Sequence, residues 1–409
     1  MSVTKEFDAI VVGAGPAGSS CARFLTEAGR RVAVLDRAAF PRVKLCAGWL
    51  SNAVWTELRI DPGDYPGSLW KWNRCHVHFG ERCHHVDVDG YFIRRYEFDD
   101  FLVRSCGAAL FETAVKTIER VGAEWLVNGE FRAPFIVGAA GTHCPVARHL
   151  IGKRANRPAG ARELEFEANP AEVAASRLGE DGEPELYLHP DLRGYSWNIP
   201  KSDWLNVGTG TLEAKQVKPA WRRARQLFTD SGHLPEGAGA ALEAAKGHSY
   251  YLFEPTHLAR CVNRSALLVG DALGLAHPFT AEGIRPAIVS ARLAADAIAE
   301  NDSESYRTRM RQHSLFVEYS TLWRIRDTGG ALRRSGDEAS VGAGRAKGRA
   351  RKGAEAAVHR WVARSFASMF SGRPLPAYRF FGSVLKTARR WDRLVSPATL
   401  ERTRNDAAR

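Results

Sequence analysis

The stretch "FDAIVVGAGPAGSSCARFLTEAGRRVAVLD", residues 7–36, decides the fold. Ala9–Val12 is a short, wholly apolar run, as expected of a strand buried on both faces of a parallel sheet. Gly13, Gly15 and Gly18 follow as G-x-G-x-x-G. The first glycine permits the tight turn, the second lets backbone approach a pyrophosphate, and the third lets a helix pack on the strand. Pro16 suits the first helical turn, and Ala17 lies where free helix N–H groups face an anion. Cys21, Phe24, Leu25 and Ala28 form one apolar stripe, with Gly29 as the stop signal. A second apolar run, Val32–Leu35, closes on Asp36, placed to accept hydrogen bonds from ribose hydroxyls. Strand, turn, helix, strand and acid are in register for a dinucleotide, and the loop alone leaves NAD and FAD both open.

Three later segments choose between them. In "FIRRYEFDDFL" Arg95 stands three residues before Phe98, and Asp99 is expected to open a helix. "PFIVGAAGTHCPVAR" is an apolar strand running into Gly138 and Gly141. In "ALLVGDALGLAHPFTAEGIRPAIVSARLAADAI" a strand at 266–269 ends on Gly270–Asp271, and Gly283–Ile284 opens an apolar helix. A strand-end Asp holds a ribityl hydroxyl, and a helix N-terminus faces the negative N1–O2 edge of a flavin. Together the four segments resemble the FAD-dependent oxidoreductase superfamily that includes para-hydroxybenzoate hydroxylase-like monooxygenases. The resemblance implies FAD contacts from Gly13, Gly15, Ala17, Gly18, Asp36, Arg95, Val115, Asp271, Gly283 and Ile284. Two positions depart from the family pattern: Ala140 stands where G-A-D-G carries its acid, and Ala281 precedes Glu282-Gly283-Ile284 where the family often has glycine. The acid at the first is often linked to NAD(P)H contact, so its absence leaves the electron donor open: NAD(P)H or a redox protein.

Between these segments, "GYSWNIPKSDWLNVGTG" (194–210) alternates, placing Tyr195, Trp197 and Ile199 on one face of a strand that Pro200 ends. "PKSD" is read as a turn and 205–210 as the returning strand. "PRVKLCAGWLS" lies shortly after Asp36. The two segments resemble the Y-x-W-x-F-P…V-G-x-G and K-x-C-G-G segments of the geranylgeranyl reductase family. That resemblance implies reduction of isolated C=C bonds in apolar small-molecule or lipid substrates by reduced FAD. It implies Cys46, Ala47 and Gly48 at the flavin, Cys46 as proton donor, and Tyr195 and Trp197 as channel walls. The plain alternative for Tyr195, Trp197 and Cys46 is core packing. Rival functions are a flavin monooxygenase or halogenase, whose W-x-W-x-I-P strand "YSWNIP" approaches, and a non-enzymatic flavin-bound adaptor for membrane or nucleic acid.

The expected fold class is α/β, with a Rossmann-type FAD-binding domain (1–51, 93–149, 256–304), an inserted antiparallel-sheet substrate domain (52–92, 150–255) and a helical basic C-terminal segment (305–409). A flexible stretch is expected near 335–353, where "VGAGRAKG" mimics a glycine loop but follows no strand. The 409 residues exceed one ordinary core. Residues 331–409 hold 18 Lys and Arg against 6 Asp and Glu, which accounts for the whole net charge of +12. Apolar stripes with arginines at 355–370 and 380–395 fit amphipathic helices for an anionic membrane surface. Without an aromatic platform or known motif, the tail is not read as binding nucleic acid. With no signal peptide and seven scattered cysteines, a cytoplasmic protein is expected, peripheral on the inner face of the membrane. "CHVHFGERCHHVDVD" (75–89) is dense in Cys and His, but its alternation reads as a β-hairpin, so no metal ligand is assigned.

Overall fold

A computed structural model describes residues 4–337 apart from 81, 155, 170, 172–182, 233, 236 and 237. The two basic amphipathic helices and most of the flexible stretch expected from the sequence lie outside the described residues, in 338–409. All seven cysteines are free.

The first sheet has six strands: β17 (Val262–Asn263), β18 (Ala266–Leu268), β11 (Phe135–Gly138), β2 (Ala9–Val12), β3 (Val32–Asp36) and β7 (Ala109–Glu112), in that order. It is parallel except for β17. Every residue of β2 is buried, as its apolar run requires. Helix Pro16–Glu27 packs against helix Ile284–Ala299. Cys21, Phe24 and Leu25 are buried, but the helix stops at Glu27 and the expected fourth stripe residue, Ala28, is its exposed C-cap. Gly29 then turns the chain at φ 78°. A four-stranded sheet (Lys5–Glu6, Phe131–Ala133, Glu124–Val127, Ile118–Val121) is separate.

The third sheet has eight strands. Their order is β16 (Lys246–Tyr250), β12 (Ala159–Glu167), β15 (Trp204–Thr211), β14 (Gly194–Lys201), β13 (Glu185–Leu188), β5 (Leu69–Phe79), β6 (Arg82–Ile93) and β4 (Trp49–Ser51). It is antiparallel except between β13 and β5. Strand β14 does not end at Pro200. Its partner β13 begins opposite Asn198, so among the described residues one side of β14 is unpaired beyond that point, where the N–H that proline lacks has no ladder to join. The turn shrinks to Ser202–Asp203, with Ser202 at φ 56°.

The two faces of this sheet bury different things. Leu164 and Phe166 of β12 and Leu205 and Val207 of β15 pack with Trp221 and Phe228 of helix Val217–Asp230. The opposite face gathers Trp49, Trp72, Phe92, Trp197 and Ile199. Trp72 stacks on Phe92 at 4.8 Å, and Trp49 meets Trp72 edge-on at 3.9 Å. Trp197 lies across Gly208 on the neighbouring strand, where an added Cβ would fall 2.3 Å from the indole. Among the described residues no helix is long and apolar enough to cross a membrane.

Candidate active site

One cavity of about 1240 Å³ is lined both by the glycine loop of the parallel sheet and by the aromatic face of the eight-stranded sheet. At its first end, Gly13 adopts φ 103° and crosses close over Ala139 and Ala140. A Cβ on Gly15 would meet only an Arg42 guanidinium nitrogen, at 3.6 Å, so the space above that residue is open and faced by a cation. The first-turn N–H groups of helix Pro16–Glu27 have no intrahelical partners and point the same way. Asp36 anchors the loop: one carboxylate oxygen accepts from Ala14 N–H at 2.7 Å and the other from Ala38 N–H at 3.0 Å. Val115 lines the cavity at this end, just beyond Thr113, whose N–H donates to the Asp36 carbonyl at 2.6 Å.

A buried ion-pair cluster stands between the ends. Helix Arg95–Arg104 begins at Arg95 itself, four residues earlier than the sequence suggests, so Arg95 and Asp99 fall one turn apart on the same side. Arg95 donates to both Asp99 oxygens, at 2.6 and 2.8 Å, and Arg42 reaches the same carboxylate at 3.3 Å. The Asp99 carboxylate holds the Arg95 charge in place against its burial. Cys46 Sγ accepts from Gly48 N–H at 3.3 Å.

The far end is apolar. Trp49, Leu186, Tyr195, Trp197 and Ile199 line it. Asn206 joins the two segments that carry the reductase resemblance: its Oδ1 accepts from Trp197 Nε1 at 2.8 Å and its Nδ2 donates to the Cys46 carbonyl at 3.3 Å. Tyr195 donates to the Thr280 carbonyl at 2.6 Å, in the loop leading to helix Ile284–Ala299. In that loop Ala281 holds φ 60°, the left-handed geometry that favours the glycine common there in the resembling family. Asp271 sits at the same helix terminus, within 3.4 Å of where a Gly283 Cβ would be, and burial pushes its carboxyl up. Glycine loop, acid, guanidinium pair and helix terminus are the groups that would hold an FAD, with Gly15 and Ala17 at its phosphates, Asp36 at a ribose, and Asp271, Gly283 and Ile284 toward the flavin.

The structure therefore brings nearly all the expected residues to one cavity. The exceptions are Gly18 and Gly48, which do not line it. A Cβ on Gly18 would fall 1.7 Å from the Gly13 carbonyl, and one on Gly48, at φ 73°, would fall 2.0 Å from the Ile93 carbonyl. Both are places where backbone crosses backbone. Among the lining residues that escaped the sequence analysis are Arg42, Lys44, Glu163 and His248. Glu163 is buried, and among the described residues its Oε1 has no hydrogen-bond partner. Burial pushes its carboxyl up to about 7, against the pull of Lys44 and Lys201. His248 Nδ1 is likewise buried without a partner among the described residues. Burial, with the charges of Lys44 and Arg95, pushes that imidazole down to about 3, leaving it neutral. In the β12–β16 register His248 pairs with Ala161, two residues before Glu163, so acid and imidazole are diagonal neighbours on one face.

A model of the NAD(P)-binding Rossmann-like domain matches residues 11–43. Digeranylgeranylglycerophospholipid reductase 1 of Methanopyrus kandleri is 29% identical over 349 residues, covering 79% of this chain and 88% of that protein. Menaquinone reductase of Mycobacterium tuberculosis is 29% identical over 338 residues, covering 74% and 79%. Among solved structures, a geranylgeranyl bacteriochlorophyll reductase-like protein of Thermoplasma acidophilum shares the fold, with a TM-score of 0.60, 20% identity and coverage of 79% and 88%.

Proposed function

We propose that this FAD-dependent oxidoreductase, similar over most of its length to a digeranylgeranylglycerophospholipid reductase and a menaquinone reductase, saturates isolated C=C bonds of a prenyl or similarly apolar chain. The observation that carries this reading is the continuity of the cavity. Its volume of about 1240 Å³ exceeds the roughly 300–1,000 Å³ of a site for one small molecule. The part beyond the nucleotide end is walled by Trp49, Trp197 and Ile199, which suits a hydrocarbon chain. Reduced FAD, when bound, supplies the hydride, and an external donor, NAD(P)H or a redox protein, restores it. The chain's own task is to hold an unactivated alkene in line and to place a proton on the second carbon. Trp197, fixed by Asn206, and Tyr195, fixed by Thr280, are rigid walls for that purpose. The basic segment 331–409 would bring the protein to an anionic lipid surface carrying such a substrate.

The direct test is anaerobic. The FAD-loaded protein is reduced, mixed with geranylgeranyl lipids or a polyprenyl quinone, and followed by flavin reoxidation and product mass. A gain of two hydrogens per reduced bond supports the reading. Reoxidation only by oxygen, with oxygen or halogen in the product, replaces it by the monooxygenase or halogenase alternative.

In this reading Glu163 holds the proton. Its carboxyl is neutral below about 7 and able to donate; above that it is ionised and is not. Turnover is therefore expected to fall as pH rises through this range. Glu163→Gln should lose that limb and lower kcat by about 10²–10⁴, the usual worth of a positioned acid. Cys46→Ala separates the two candidate donors. A loss of that size in Cys46→Ala, with Glu163→Gln near wild type, gives the role to Cys46.

A further inference from the structure

We propose that His76, Cys83 and His85 form a zinc site on the outer face of the eight-stranded sheet, remote in chemistry from the redox cavity. Cross-strand register assembles it. Glu185, His76 and His85 lie side by side on β13, β5 and β6, and Tyr187, His78 and Cys83 form the next row. Side chains two apart along a strand share a face, so all six point away from the face on which Cys75 and Val77 join the aromatic cluster. The imidazole and thiol donor atoms of His76, Cys83 and His85 all lie within 4.8 Å of one another.

Two observations raise this above a crowded hairpin tip. First, Cys83 Sγ stands 3.8 Å from His76 Nδ1. A tetrahedral zinc with the usual Zn–S and Zn–N lengths sets its sulfur and nitrogen ligands about 3.6 Å apart, so small side-chain rotations suffice. Second, His76 Nε2 lies 2.6 Å from a Glu183 carboxylate oxygen. A proton on Nε2 donated to that carboxylate leaves the Nδ1 lone pair aimed at the cluster, the carboxylate–histidine–metal arrangement of ligated imidazoles. One thiolate and two imidazoles select zinc over magnesium or calcium. Glu183 and Glu185 make the surroundings favourable to a cation, although Arg74 stands 3.6 Å from Glu183. His78 is 3.8 Å from the sulfur, but it is held by Glu185 at 3.3 Å and stacked on Tyr187. Cys83 and His85 are exposed, which leaves the fourth position to water. The metal would clamp the tip of a hairpin whose inner face, through Cys75, Val77 and Val86, backs the apolar cluster that walls the cavity.

The test uses the full-length, FAD-loaded protein. Elemental analysis after dialysis should find about one zinc per chain, one ion held by the three side chains. After chelation, Co²⁺ should restore visible bands together with a thiolate-to-cobalt charge-transfer band. Cys83→Ser should lose the charge-transfer band while keeping the flavin spectrum, and Cys83→Ala with His85→Ala should lose the metal. Glu183→Gln should weaken zinc binding by about 10–100-fold, the effect of removing an outer carboxylate. Absence of cobalt bands in the stripped wild type, or equal metal content in the double variant, overturns the proposal.

Discussion

Gly13→Ala is expected to produce protein that no longer retains FAD. A Cβ at this position would lie 2.5–2.7 Å from backbone atoms of Ala139 and Ala140, distances that neither main chain can relieve by rotating a side chain. The residue also sits at φ 103°, where alanine is strained by about 1–3 kcal/mol. The loop must therefore shift, and with it the N–H groups facing the phosphates and the Ala14 N–H that fixes Asp36. Overlap in a packed site adds about 1–3 kcal/mol. Even the lower end of the combined range loosens FAD by roughly 30-fold, and the upper end by more than 10³-fold. Flavin-to-protein absorbance after desalting, and fluorescence titration of the apoprotein with FAD, measure the loss. Stoichiometric flavin in the variant would sink the assignment of the loop.

The second large effect is expected at Asp99, a residue that touches neither proposed ligand. Its fully buried carboxylate is the common partner of Arg95 and Arg42. Asp99→Ala leaves a buried guanidinium without its counter-charge, a change that costs about 3–5 kcal/mol in comparable sites. Urea unfolding should show the midpoint move with the slope unchanged. Because both arginines line the cavity and Arg42 faces Gly15, excess FAD should recover part of the lost stability in Asp99→Ala. If the variant unfolds within about 1 kcal/mol of wild type, the size of a surface pair, the cluster is not the anchor described.

The FAD scaffold was legible because its signals are local. A buried four-residue strand, three glycines at fixed spacing and an acid at the next strand end are written in thirty consecutive residues. The aromatic strand was legible for the same reason, since Tyr195, Trp197 and Ile199 alternate. Glu163 and His248 were not. In "AGARELEFE" the apolar Leu164 and Phe166 look like the core side and Glu163 and Glu165 like the solvent side. Helix Val217–Asp230 covers the first face and the cavity lies on the second, so both faces are inside and polarity misleads. Arg42 was missed because it acts through Asp99, distant in sequence, and Asn206 because its use depends on register with Trp197 and on the loop at Cys46. The start of helix Arg95–Arg104 was misplaced because Asp99 resembles a capping acid, whereas its side chain turns back to Arg95. Pro200 misled for a reason only topology reveals: among the described residues no strand pairs with that side of β14 beyond Asn198.

The shared cavity has a consequence for how the protein lives without its cofactor. A ligand lying from the glycine loop to the aromatic face would touch two sheets at once, bridging the cavity of about 1240 Å³ that both line. Occupancy then enters the folding equilibrium by mass action, adding about 2.7 kcal/mol when free ligand stands at a hundred times its dissociation constant. Supply of the vitamin-derived cofactor would thus set not only how fast the enzyme works but how much of it survives proteolysis, so abundance in a starved cell would follow riboflavin status.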